Sequence, residues 1–212
     1  MPYEFVYKIN DTDHVFRCNI ETVQCEALKP NGDRCQRVCA IGTPYCYSHL
    51  LAKKKLRIKP SGNPLAGKGL FAQNRVASAP LAAASPVVFK KGQTIIEYTG
   101  DNIDAATLKS RYDLNARKTF TAPYAYVLKK DESYIDSACN RGVGSLVNHK
   151  SFSKANAKFV TTKTNGVATG IRLDAKKDIK NNTEIFASYG SSYRMKNKTN
   201  HTTTRRHRRR GT

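Results

Sequence analysis

Acidic residues are scarce in this 212-residue chain: 16 Asp and Glu stand against 37 Lys and Arg, a net charge of +21. A field of that sign attracts polyanions, nucleic acid first. Residues 194–212 contain no acid and eight basic side chains, Arg194, Lys196, Lys198, Arg205, Arg206, Arg208, Arg209 and Arg210. Without these eight, 29 basic residues still face 16 acidic ones, so the excess belongs to the folded part as well as to the tail. Tryptophan is absent. No uninterrupted apolar run reaches membrane-spanning length, which excludes a transmembrane helix. Met1 to Phe16 alternates polar and apolar residues, without a basic region leading into an apolar one. That excludes a secretory signal and predicts an intracellular protein. There is no internal repeat. No series of alternating strands and helices opens with a Gly-rich turn, which excludes a doubly wound sheet.

Cysteine is unevenly spread. Five of the six cysteines lie between positions 18 and 46, and the sixth is Cys139. In a reducing compartment such cysteines favour zinc or free thiols over disulfides. Cys25, Cys35, Cys46 and His49 are separated by nine, ten and two residues. Cys46-x-x-His49 places two ligands one helical turn apart, and Asn31-Gly32-Asp33 supplies a turn returning Cys35 towards Cys25. Three thiolates and one imidazole suit tetrahedral Zn²⁺ in a closed, structural site. A segment this small has too little core to fold alone, so the metal supplies folding energy. The spacing resembles a short zinc-binding motif of various viral and eukaryotic proteins. Cys39 is an alternative to Cys35, Cys18 is a candidate extension of the site, and His14 reads as a plain strand residue.

The expected organisation has three parts. Residues 1–60 hold the zinc module, at about 15–52, and a basic connector, Lys53 to Pro60, read as a helix end or a linker. Residues 61–193 form the main domain, and 194–212 a disordered basic tail. Within the main domain, Val76 to Pro86 reads as a surface loop. Thr94 to Tyr98 reads as a strand, and Ala105 to Tyr112 as a helix capped by Asp104. Tyr124 to Leu128 and Ser133 to Asp136 are strands joined by a turn at Lys130-Asp131. Phe159 to Thr164 and Thr169 to Leu173 form a hairpin turning at Asn165-Gly166. Many short strands with one convincing helix predict a mainly β domain of several small curved sheets.

Four motifs follow one another in this domain. They are Gly67-Lys68-Gly69-Leu70-Phe71-Ala72, Ile96-Glu97-Tyr98-Thr99-Gly100-Asp101, Gly144-Ser145-Leu146-Val147-Asn148-His149, and Glu184-Ile185-Phe186-Ala187-Ser188-Tyr189-Gly190. Each is weak alone. Their order over residues 62 to about 193 resembles the SET-domain protein lysine methyltransferases. The compact chain and its zinc spacing point towards a viral member. The resemblance implies a SET fold whose C-terminal segment threads under a loop, an exception to the usual avoidance of knots. It implies S-adenosylmethionine as methyl donor, bound by Lys68, Gly69, Leu70, Tyr124, Asn148 and His149. It also implies Tyr189 as the catalytic tyrosine, Tyr98 as the lysine-channel tyrosine and Tyr124 as a tyrosine between cofactor and channel, with Tyr126 packing.

The chain departs from the family pattern at several positions. Ser145 stands where Arg is usual, and Lys150-Ser151 where Ser-Cys is common. Ser188 replaces an acid. Ala187 occupies the position, two before the tyrosine, that is linked to the number of methyl groups added. No cysteine follows Gly190, so the family's zinc-binding post-domain is absent and Tyr193 or the tail must complete the channel.

The implied substrate is a protein carrying a target lysine, a histone by family habit. A cationic enzyme repels a cationic tail at long range. Either the basic surface and tail grip DNA or nucleosome beside the histone, or the substrate is another protein. Asp101, Asp104, Asp113, Asp131, Glu132 and Asp136 are candidates for an acidic groove. Residues 204–210 read as a nuclear-localisation signal or a DNA tether, predicting a nuclear, chromatin-associated protein. Two rival readings stand beside the enzyme: a catalytically degenerate SET module that binds chromatin or nucleic acid, and a zinc-dependent nucleic-acid binder with a merely structural large domain.

Overall fold

Fifteen short strands stand among the described residues of the computed structural model. It describes residues 3–8, 15–20, 22–39, 43–64, 66–74, 86–112, 122, 124–129 and 132–190; for 3–8 and 15–20 this means the backbone and Cys18. Most of the Val76–Pro86 loop, the Lys130-Asp131 turn, His14, Asp113, Tyr193 and the tail lie outside the described residues.

An N-terminal hairpin pairs β1 (Tyr3–Lys8) with β2 (Val15–Ile20). Helix α1 (Tyr47–Lys54) follows, ending at Lys55 in the left-handed region. Next comes β3 (Leu56–Pro60), antiparallel to β4 (Lys68–Ala72), which also pairs with β14 (Thr183–Glu184). The basic stretch read as a connector is therefore a helix end followed by a strand of the main fold. Leu56 is wholly buried and drives that strand onto the core, whatever the charge of its neighbours.

Strand β5 (Val87–Phe89) pairs with β13 (Ile179–Lys180). The largest sheet has the order β10 (Asn148–His149), β15 (Phe186–Ala187), β11 (Ala157–Thr164), β12 (Val167–Ala175), β6 (Thr94–Tyr98). The expected hairpin is β11–β12. Asn165 and Gly166, at φ 50° and 79°, form its two-residue turn. Left-handed backbone at both positions is what Asn-Gly tolerates and what the twist of the flanking strands prefers. A third sheet joins β7 (Asp101–Asp104), β9 (Ser133–Asp136) and β8 (Ala125–Lys129). Helix α2 (Ala105–Tyr112) closes it, packing Leu108 and Tyr112 against Ile103 and Tyr134. The Asp104 carboxylate accepts the Thr107 N–H at 2.7 Å, the expected N-cap.

The main core gathers Leu50 of α1, Leu56, Leu70, Phe89, Val147, Leu173, Ile179 and Ile185. Each such side chain contributes roughly 1.5–3 kcal/mol by burial. Leu50 carries the cysteine module into this core, so module and domain share one interior.

Strand β15 runs parallel to both of its neighbours. Its partners are Asn148 opposite Phe186, His149 opposite Ala187, and Ala157 opposite Ala187. Buried Asn156 fixes it: its Nδ2 donates to the Glu184 carbonyl and its Oδ1 accepts the Phe186 N–H, both at 2.8 Å. The last described segment is thus wedged between two strands laid down earlier in the chain.

The sulfurs of Cys18 and Cys139 are joined in a disulfide. This corrects the expectation of zinc or free thiols throughout: Cys18 is held away from the metal-type cluster by a partner 121 residues on.

Candidate functional site

Strand alternation places Tyr98 and Glu97 on opposite faces of β6. Tyr98 lines a cavity of about 90 Å³ with Tyr124, Tyr126, Ser145, Val147, Phe159 and Tyr189. The Tyr98 hydroxyl donates to the Tyr124 carbonyl at 2.6 Å. Burial raises Tyr98 to about 12, so its phenol stays neutral at physiological pH. The ring of Tyr98 meets Phe159 edge-on at 5.5 Å, and Tyr126 lies 5.2 Å from Phe159. Tyr126, expected only to pack, is part of the cavity wall. Tyr124 is held from behind, its carbonyl accepting the Ser137 N–H at 3.0 Å and its ring carrying the Arg141 guanidinium at 4.8 Å.

A second group of predicted residues lies against this cavity. The Asn148 amide nitrogen donates to the Lys68 carbonyl at 3.1 Å and to Glu184 Oε1 at 3.0 Å. Both are acceptors only, so the amide is oriented and its Oδ1 faces elsewhere. Glu184 also accepts from Ser61 Oγ at 2.7 Å and the Gly62 N–H at 2.9 Å. A Cβ at Gly69 would sit 2.2 Å from Glu184 Oε1, so only glycine allows this approach. Leu70 is wholly buried and presents backbone alone to this region.

His149 links the two groups. Its Nδ1 accepts the Tyr189 N–H at 3.1 Å, which leaves the ring proton on Nε2, and the two rings lie 5.2 Å apart. Burial lowers the His149 pKa and favours the neutral imidazole. The Tyr189 hydroxyl donates to the Val147 carbonyl. The structure therefore brings Tyr98, Tyr124 and Tyr189 to one cavity, and Lys68, Gly69, Asn148 and His149 to its flank. Gly67 has φ 67°, and nothing lies within 4 Å of where a Cβ would stand on it. This open backbone and the uncommitted Asn148 Oδ1 fit a ligand bearing amino and adenine donors.

Sequence reasoning missed Glu184, Asn156 and Phe159. Glu184 had one signal, its place at the head of the final motif; Asn156 and Phe159 lie outside all four motifs. Among the described members of the expected acidic groove, the carboxylates are taken up locally; Asp113 and Asp131 lie outside the described residues. Arg111 binds Asp101 and Asp136 at 3.0 and 2.9 Å, Asp136 is fully buried, Asp104 caps α2, and Glu132 pairs with Lys129. These carboxylates are spent on local structure. A larger cleft, about 790 Å³, lies between the cysteine module and the far face of β6, where Glu97 and Thr99 line it with Glu26, Tyr45 and Arg141. It contains none of the predicted catalytic residues, and its size alone does not make it the reaction site.

The ligand atoms of Cys25, Cys35, Cys46 and His49 all lie within 4.8 Å of one another. His49 Nδ1 is 3.4 Å from the sulfurs of both Cys25 and Cys46. Bond lengths of about 2.3 Å to sulfur and 2.0–2.1 Å to nitrogen in a tetrahedron require about 3.5 Å between such atoms, so the donor set fits zinc. Asn31-Gly32-Asp33 makes the expected turn, with Gly32 at φ 87°. At Cys25 burial opposes ionisation, but the Cys46 and Ala27 N–H groups and His49 bring the thiol down to about 6. At Cys35 the Arg37 N–H favours the thiolate, yet burial and the adjacent Cys25 and Cys46 push it up. Mutual repulsion of this kind is what a dication relieves. Cys39, raised to about 12 by burial and the neighbouring thiols, is not among the four residues whose ligand atoms converge, and Cys35 is.

Residues 85–190 match the family model of the SET domain. No curated protein matches the sequence. Among solved structures, the chain is similar to ctPRC2 in an autoinhibited conformation bound to S-adenosylmethionine, with a TM-score of 0.51 and 24% identity over 66% of this chain and 16% of that one. A humanized mutant of the Chaetomium thermophilum Polycomb Repressive Complex 2, bound to an inhibitor, gives 0.49 and 23% over 66% and 15%. The chain spans about 16% of the length of the first of these, and the likeness is one of fold. Among the described residues, no helix is long and apolar enough to cross a membrane.

Proposed function

The chain belongs to the SET-domain family, and from that premise we propose that it transfers a methyl group from S-adenosylmethionine to the side-chain nitrogen of a protein lysine. The observation that carries this reading is the position of Tyr189. Its ring lines the aromatic cavity while its backbone N–H is held by His149 of the Asn148-His149 pair. A methyl acceptor in the cavity and a donor held by that pair would meet at Tyr189.

The donor, when bound, supplies an electrophilic methyl on a sulfonium. The remaining work falls to the chain. A lysine near pKa 10.4 must lose a proton from Nζ before it can attack, which costs about 4–5 kcal/mol at pH 7. Aromatic walls strip water from the ammonium and lower that cost. The Tyr98 hydroxyl, whose hydrogen is committed to the Tyr124 carbonyl, presents a fixed polar oxygen on the wall against which the lysine nitrogen would rest. The neutral Tyr98 phenol orients the amine and does not serve as the base. Tyr189 steers the nitrogen into line, turning binding energy into effective concentration. Lys68, Gly69, Leu70 and Tyr124 complete the donor site through backbone and ring edges.

The Cys25, Cys35, Cys46 and His49 cluster holds a structural Zn²⁺ in this reading. The module at about 15–52, the SET domain at 61–193 and the basic tail at 194–212 form the working parts. The substrate is a histone or another chromatin-associated protein in the nucleus, with DNA held by the basic surface and tail. Supporting this is the net charge of +21, which favours a polyanion beside the substrate.

The test is transfer of label from S-adenosylmethionine to core histones or nucleosomes, with Tyr189→Phe as control. The expected result is lysine-linked label from the wild type, and strongly reduced turnover with near-normal donor affinity in the variant. Absence of both transfer and calorimetric donor binding overturns the enzyme and leaves a chromatin-binding module.

A further inference from the structure

Five of the six cysteines are buried, and only Cys139 is half-buried. Cys139 lines the cleft of about 790 Å³ between the cysteine module and the far face of β6, and its disulfide partner Cys18 does not. A thiol entering the cleft therefore meets the Cys139 sulfur, with the Cys18 sulfur behind it as leaving group. The cleft has the size of a small-molecule site, for which roughly 300–1,000 Å³ is usual. Its lining carries both signs of charge, Lys54 and Arg141 beside Glu26 and Glu97. That set suits a zwitterion, with cations for its carboxylates and an acid for its ammonium. The bond shares the chain with Cys25, Cys35, Cys46 and His49, which hold a metal only while their sulfurs are reduced. In surroundings that keep those thiols reduced, an accessible disulfide is the labile, exchanging kind.

We propose that Cys139 is a thiol-exchange site, and that the cleft receives a small acidic thiol peptide of the glutathione class. The peptide's thiolate attacks Cys139 Sγ, and a new S–S bond forms as the Cys18–Cys139 bond breaks. The electron pair leaves on Cys18 Sγ, which takes up the proton given by the attacking thiol. A second peptide thiol attacks the first peptide's sulfur, releasing Cys139 as a thiol and the two peptides as their disulfide. The protein gains the two electrons and two protons that the peptides lose. Cys139 lies between two residues that hold Tyr124 from behind, Ser137 by its N–H and Arg141 by its guanidinium. Exchange also frees β2 from this segment. On the methyl-transfer reading above, a peptide bound here loosens the Tyr124 wall and slows turnover.

The experiment uses the full, zinc-loaded chain. Exchange with reduced glutathione and with neutral 2-mercaptoethanol is followed by mass spectrometry after acid quenching. Each rate is divided by that of the same thiol with the urea-unfolded chain. The native protein should favour glutathione. Lys54→Glu should lower that preference about fivefold, since the reversal removes one surface attraction and adds one repulsion. Lys163→Glu changes the net charge equally at an exposed position outside the cleft and should leave the preference in place. No preference in the wild type, or an equal fall in both variants, overturns the site. Cys18→Ser cannot reclose the bond, so glutathione disulfide should leave one tripeptide on its Cys139. Labelling of Cys25, Cys35, Cys39 or Cys46 as fast as Cys139 overturns the assignment. Methyl transfer by Cys18→Ser with and without the adduct tests the link to Tyr124; equal rates overturn that link and leave the exchange site standing. Absence of transfer by the wild type removes the enzyme reading, and the exchange rates still decide the site.

Discussion

Replacing Glu184 with glutamine should both destabilise the fold and weaken donor binding. The carboxylate accepts three hydrogen bonds, from Ser61 Oγ, the Gly62 N–H and Asn148 Nδ2, at 2.7, 2.9 and 3.0 Å. The residue is 8% exposed, so water cannot readily take its place. A glutamine there would keep one acceptor oxygen and turn an N–H₂ towards a donor. If the oxygen stays between Ser61 and Asn148, the Gly62 N–H faces another N–H; if the amide flips, two bonds are lost. Losing one bond to a charged acceptor costs about 1.5–3 kcal/mol. At this chain length, ~2 kcal/mol lowers the melting temperature by roughly 4–8 °C. In the flipped arrangement Asn148 keeps only Lys68 as its anchor, and donor affinity should then fall by about one hydrogen bond, roughly fivefold. Differential scanning calorimetry and titration calorimetry read the two effects. Glu132→Gln is the control, because its pair with Lys129 is more than half exposed and contributes at most about 1 kcal/mol. A Glu184→Gln protein that melts with the wild type and binds donor equally well would refute the bridging role.

Chelating zinc, or replacing Cys46 with serine, should unfold the segment from Val23 to Lys54, because Cys46 is the N-cap of α1, which carries His49; the check is loss of one equivalent of metal together with hydrogen-exchange protection there. Ellman titration of the metal-free, denatured chain should find four thiols before reduction and six after it, and reduction should lower stability by up to about 5 kcal/mol for so long a loop. Six thiols both times would contradict the Cys18–Cys139 bond. The partly buried His149, its pKa lowered by desolvation, should make stability fall as pH drops through about 6.5, since the unfolded chain takes up that proton first. Urea titrations at pH 5.5 and 7.5 should show a smaller difference in His149→Gln than in the wild type.

The elements that could be read in advance are those whose cause is local. Asp104 ahead of Ala105, Asn165-Gly166 between two β-branched runs, and Cys46-x-x-His49 each state their geometry within a few residues. Glu184 could not be read that way, because its partners Ser61 and Gly62 lie more than a hundred residues earlier. Asn156 sits in an ordinary Lys-Ala-Asn stretch, and its function comes from β15 arriving beside it. Leu56 shows the opposite failure: a basic neighbourhood hid a core strand. Among the acids proposed for a groove, Asp101 and Asp136 are taken up by Arg111, a pairing that their spacing in the sequence does not reveal.

The wedge of β15 between β10 and β11 has a consequence for biosynthesis. Both halves of the site, the Asn148-His149 pair and the Phe159 wall, border a strand that leaves the ribosome after them. A nascent chain can complete its β11–β12 hairpin and its cysteine module and still possess no site. A stop codon before Thr183 would yield an inert protein rather than a slower one. The same order invites fragment complementation: two inactive pieces divided at Asn165-Gly166 would regain the site only when the later piece slots its final strand into the earlier one.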